Sequence, residues 1–170
     1  MGGCAVDLLL TDPAAAPARV TYDVDLVARV EVLVDYHALE EEFARLGFKR
    51  DMAQEAPIST GVTILLISAP AFMATKFEAF LDRGRGDVLG SHDLEDIVNV
   101  LDGRPELVSE IASAEPELRQ YLATQCGALL AMPDFINALP GLVFPDESLA
   151  GRVKLLVQRL GQIAELTSPA

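Results

Sequence analysis

The sequence predicts an α+β chain, with a small mixed sheet flanked by helices and a helical C-terminal part. Three observations lead there. Tyr22, Val24, Leu26 and Ala28 recur with a period of two, the pattern of a strand with one buried face. Val62 to Ile67 is an apolar run of strand length, as expected for a strand covered on both sides. From residue 68 onward the apolar residues recur at helical spacing. Composition agrees: 51% of the residues are hydrophobic but only 6% aromatic, so Ala, Leu and Val supply the core and favour helix.

Each element has its own signals. Residues 4–11 form a short helix entered from Gly2-Gly3, and residues 12–19 a Pro- and Ala-rich loop. Thr21 to Val30 is the first strand. Tyr36 to Leu46 is a helix stopped by Gly47, and 48–60 has no clear period. After the apolar run, a helix opens at Ser68 or Ala69 with Pro70 in its first turn and runs to about Asp82. Met73, Phe77 and Phe80 are its buried stripe. Gly84 to Gly90 is a mobile loop. Ser91 caps a helix from His92 to about Asp102, closed by Gly103, with Leu94, Ile97, Val98 and Leu101 inward. Pro105, Pro116 and Pro133 mark further helix starts. Leu149, Val153, Leu156, Leu160 and Ile163 are the packing face of a last helix. Residues 1–102 are read as the core and 103–170 as a helical extension packed on it.

A formal charge of −13 argues against general nucleic-acid coating, which needs a basic footprint. It leaves room for a small nucleotide site, where a metal and one or two cations act locally. Cys4 and Cys126 do not make a disulfide framework. No apolar run reaches membrane-spanning length, and Val6 stands where N-myristoylation calls for Ser or Thr. The expectation is a cytoplasmic protein with no membrane partner.

The chemistry-bearing residues fall into two groups. In a strand, residues two apart point to one face, so Asp23 and Asp25 present carboxylates about 7 Å apart at their Cα atoms. That spacing suits a divalent cation such as magnesium, which takes oxygen ligands and keeps company with phosphates. A solvated acidic strand end fits the spacing as well. Upstream, Gly2-Gly3 offers backbone N–H groups at a helix start, where phosphate is favoured. In the second group, Lys76 and Arg83 lie seven apart on one helix, placed to neutralise phosphate. Asp93, with Asp96 on the same flank, is a candidate base or orienting carboxylate. His92 could serve as well. The bland alternatives are an exposed lysine and a helix-start aspartate held by the dipole.

Together, Gly2-Gly3, the Asp23-Val24-Asp25 strand, the Lys76 helix and Ser91-His92-Asp93-Leu94-Glu95-Asp96 resemble the nucleotidyltransferase superfamily. Within it they are most similar to the AbiEii-like family of type IV toxin–antitoxin systems. The resemblance spans roughly residues 1–112. It implies transfer of a nucleoside monophosphate from a nucleoside triphosphate to an acceptor hydroxyl. Asp23 and Asp25 would hold Mg2+, Lys76 and Asp93 would join them in catalysis, and Gly2, Gly3, Lys76 and Arg83 would bind the nucleotide. RNA or protein acceptors and a cognate antitoxin are the partners it implies. Two departures stand out. Relatives carry a strand before the glycines, and a third carboxylate on a strand between the aspartate pair and the lysine. Here Val62 to Ile67 holds no acid, and Asp51 and Glu55 sit in an irregular setting. The core therefore reads as incomplete at its N-terminus and between 56 and 62. The alternative expectation is a catalytically degenerate relative that binds nucleotide or protein.

Overall fold

The computed structural model describes residues 4–15, 19, 45, 66–83, 87–143, 145 and 148–167. Every regular element among them is helical: α1 (Cys4–Leu9), α2 (Ala69–Arg83), α3 (His92–Gly103), α4 (Leu107–Ala112), α5 (Pro116–Leu130), α6 (Pro133–Leu142) and α7 (Leu149–Ala164), with a closing 3-10 turn at Glu165–Thr167.

Local chemistry sets the helix ends. Ser68 starts α2: its carbonyl accepts from Phe72 N at 2.9 Å. At α3, the Ser91 hydroxyl accepts from Leu94 N at 3.3 Å, satisfying one of the first-turn donors that lack a helical partner. Pro116 and Pro133 occupy the first positions of α5 and α6, where a missing N–H costs nothing. Between α2 and α3 the described residues Asp87–Gly90 form a turn. Asp87 Oδ1 accepts from Gly90 N at 2.9 Å, and Val88 is buried beneath.

The core is one cluster running from Val6 to Ile163. Phe72, Met73 and Phe77 of α2 meet Leu94, Ile97 and Leu101 of α3, and all six are essentially inaccessible. The two helices pack face to face; α5 lies along α7, against α2 and under the 3-10 turn, and α3 also packs on α7. Fully burying each such side chain is worth roughly 1.5–3 kcal/mol.

Polar ties lock the ends together. Arg159 of α7 donates to the carbonyls of Leu101 and Asp102, filling acceptors left open at the end of α3. Arg152 pairs with Asp102 beside them. Arg104 forms a two-armed bond to Glu110, 2.7 Å on each arm, and donates to Leu9 O at 2.6 Å. Across α2 and α5, Tyr121 Oη donates to Glu78 at 2.6 Å; burial, with that carboxylate, raises the phenol above its ordinary range.

The α+β expectation is therefore corrected: the described residues contain seven helices and a 3-10 turn, with no strand or sheet. Of the strand expected at 62–67, residues 62–65 lie outside the described residues. Its described members, Leu66 and Ile67, are irregular chain leading into α2, and Leu66 is 44% exposed. A short apolar run has no period of its own, so periodicity cannot separate a buried strand from the approach to a buried helix. The strand at 21–30 lies outside the described residues. So do the helix at 36–46, apart from Arg45, and the stretch 48–60.

Candidate functional site

Among the chemistry-bearing residues, the structure brings together Lys76, Asp93 and Asp96. Lys76 lies on the inner side of α2, one turn from Phe72 and next to Phe77, so the packing that buries the phenylalanines also draws in the lysine. Its residue exposure is 4%. An ammonium group there needs counter-charges, since an unpaired buried ion costs several kcal/mol. They come from α3: Nζ lies 2.7 Å from Asp96 Oδ2 and 3.1 Å from Asp93 Oδ1. The Phe72 ring adds a cation–π contact, 5.6 Å from Nζ to the centroid.

The two aspartates sit three apart, on one side of α3, which lets a single lysine bridge them. Their environments differ. Asp96 is 2% exposed, and burial raises its pKa above the ordinary value, while the hydrogen bond and charge of Lys76 pull the other way. The Asp93 side chain keeps 13% of its surface. The cluster carries one positive and up to two negative charges. A lysine so compensated is a poor partner for phosphate. What the arrangement does well is fix α2 against α3 and hold the Asp93 carboxylate in one orientation.

Around this cluster, His92 is exposed, and its Nδ1 lies 3.3 Å from Glu95 Oε2. Glu95 also lies 3.6 Å from Arg19 Nε. Of the residues expected at a site, then, Lys76 and Asp93 meet. Arg83 closes α2, but its side chain is outside the described residues, as are Gly2, Gly3, Asp23 and Asp25. Sequence reasoning placed Asp96 on the flank of Asp93 without seeing it as the nearer partner of Lys76. The three-residue spacing was the available signal. Arg19 and Glu95 carried none, because their pairing joins distant parts of the chain.

Among the described residues no group of three or more His, Cys, Asp or Glu is placed to hold a metal. Asp23 and Asp25, the expected magnesium ligands, lie outside the described residues. A separate groove of about 610 Å3, lined by Leu8, Leu66, Ile67, Pro70 and Leu118, contains none of the clustered residues, and its Arg104 and Glu110 are bonded to each other. No described helix is long and apolar enough to cross a membrane. The chain matches no protein-family model, no curated protein and no solved structure.

Proposed function

We propose that this protein is nucleotidyltransferase-like and transfers a nucleoside monophosphate from a nucleoside triphosphate to an acceptor hydroxyl. Asp23 and Asp25 serve as the magnesium-binding pair, and the Gly2-Gly3 backbone faces the phosphates. Magnesium, when bound, neutralises charge on the transferring phosphoryl group. The proposal gives Lys76 a new part: it positions Asp93 and leaves the phosphates to other groups.

One observation supports this reading above the rest. Lys76 and Asp93, picked from separate helices as parts of one motif, stand 3.1 Å apart across 17 residues of sequence. Two motif pieces that meet in a buried cluster behave as one unit.

The test uses the full chain with labelled nucleoside triphosphates and magnesium, offering RNA and protein hydroxyl acceptors. The wild type is expected to release pyrophosphate and label an acceptor. Asp25→Ala is expected to fall to background while its helical circular dichroism is unchanged. Equal turnover by Asp25→Ala would sink the assignment.

A second reading, a nucleotide- or protein-binding relative without catalysis, is favoured by the compensated charge of Lys76, which removes one cation from phosphate chemistry. Saturable nucleotide binding with no product in the wild type would select it.

A further inference from the structure

The groove of about 610 Å3 lies apart from the Lys76 cluster, between α1, the chain entering α2, and the turn that joins α4 to α5. Its size is that of a small-molecule site. Leu8, Leu66, Ile67, Pro70 and Leu118 give it apolar walls. Leu8 is 62% exposed and Leu66 44%, although Leu9, next to Leu8, is buried. A single exposed leucine is ordinary, but two that converge on one concavity form a surface that an apolar ligand would cover favourably.

Polar ties hold the walls in place. Arg104 Nη1 donates to Leu9 O at 2.6 Å on the α1 side, and its two-armed bond to Glu110, 2.7 Å on each arm, fixes it to α4. The groove is thus built before any ligand arrives. Its lining carries three charged residues, Arg104, Glu110 and Glu115. The first two cancel, which leaves Glu115. Glu115 is exposed at the N-cap position of α5, and no ion pair reaches it among the described residues. The groove therefore has one surplus negative charge beside an apolar wall.

We propose that this groove binds a small molecule with an apolar tail and a single ammonium group, the tail against Leu8, Leu66 and Leu118 and the head at Glu115. An anionic head would meet Glu110 and Glu115, with Arg104 already engaged. The start of α5 pulls the other way, since it has no side-chain cap, but Glu115 itself stands there and answers that partial charge. The tail supplies most of the affinity, in proportion to the area it covers. The head supplies selectivity, small and salt-sensitive because Glu115 is exposed. The site and the nucleotidyltransferase reading do not depend on each other.

The experiment titrates the isotope-labelled full chain with octylammonium, 1-octanol and octanoate at neutral pH and low salt, and follows the amide NMR shifts. Octylammonium should saturate, with shifts centred on Leu8, Ile67 and Leu118. It should bind about two- to fivefold tighter than octanol, the range of an exposed ion pair, and octanoate should bind weakest. Butylammonium should bind more weakly than octylammonium by about two- to fourfold per methylene removed. Glu115→Gln should erase the preference for ammonium over octanol and leave octanol binding as in wild type. Leu8→Gln and Leu66→Gln, both at exposed positions, should weaken all three ligands. The proposal is overturned by octylammonium shifts that do not saturate or that centre elsewhere, by octanoate binding as tightly as octylammonium, by an ammonium preference that survives Glu115→Gln, or by affinities that ignore both leucine variants.

Discussion

At the residue scale the decisive group is Lys76. A lysine beside an apolar stripe has two ordinary fates: its stem lies on the core while its head reaches water, or its head is buried with counter-ions. Here the second holds. Removing the ammonium strands two carboxylates, so Lys76→Met should cost about 3–5 kcal/mol of unfolding free energy. The double variant Lys76→Met/Asp96→Leu should recover much of that loss, because a well-packed apolar pair can replace a buried ion pair. Urea denaturation measures both; equal stability of the wild type and Lys76→Met would contradict the buried pairing. Asp96 adds a pH signature. Its folded-state pKa is raised, so the native protein holds that proton more tightly than the unfolded chain. Its contribution to stability is complete below the ordinary value near 3.8 and is lost as pH rises through the folded-state value. Asp96→Asn lacks this titration. The stability difference, wild type minus Asp96→Asn, should therefore fall as pH rises above about 4 and then level.

At the scale of elements, helix boundaries follow from single residues, and the contacts between helices depend on close approach. Gly103 is the clearest case. Sequence marks it as the stop of α3. The structure adds that its carbonyl accepts from Thr11 N at 2.9 Å and Asp12 N at 3.0 Å, so the chain after α1 lies directly on it. A Cβ there would stand 2.7 Å from Leu10 Cδ2 and 2.9 Å from Ala15 Cβ. Gly103→Ala should cost about 1–3 kcal/mol through this overpacking, and thermal unfolding would show it as a lower Tm. A variant as stable as wild type would mean that the 10–15 segment moves away freely. The helices at 69–83 and 92–103 were legible because each joins a cap or proline signal to an apolar stripe, and the helix at 149–164 through its stripe over more than three turns. Of the apolar run before α2, the described Leu66 and Ile67 are irregular, and residues 62–65 lie outside the described residues.

Across the whole molecule, one continuous core implies that its deepest groups become accessible together. Cys126 is fully buried on α5, and burial pushes its thiol up to about 12. The thiol is therefore protonated and shielded near neutral pH. In a Cys4→Ser background, Cys126 should react with a thiol reagent only through opening of the core. Its labelling rate should rise with urea along the same dependence as global unfolding, and Phe77→Ala should accelerate it strongly. Rapid labelling in native buffer would show that α5 opens independently of the rest.

Sequence by itself determined the helices from 69 onward and the inward faces of those at 69–83, 92–103 and 149–164, because helical periodicity, caps and prolines act over a few residues. It did not determine how the charge of Lys76 would be used. Tertiary structure decided that Lys76 is buried between two carboxylates, that Asp96 is its nearer partner, and that Arg19 reaches Glu95. It also decided that the described part of the chain holds helices and no strand. Local pattern tells which side chains share a face. Whether a charge on that face meets water, phosphate or another charge depends on what the rest of the chain packs against it, and no window of sequence contains that information.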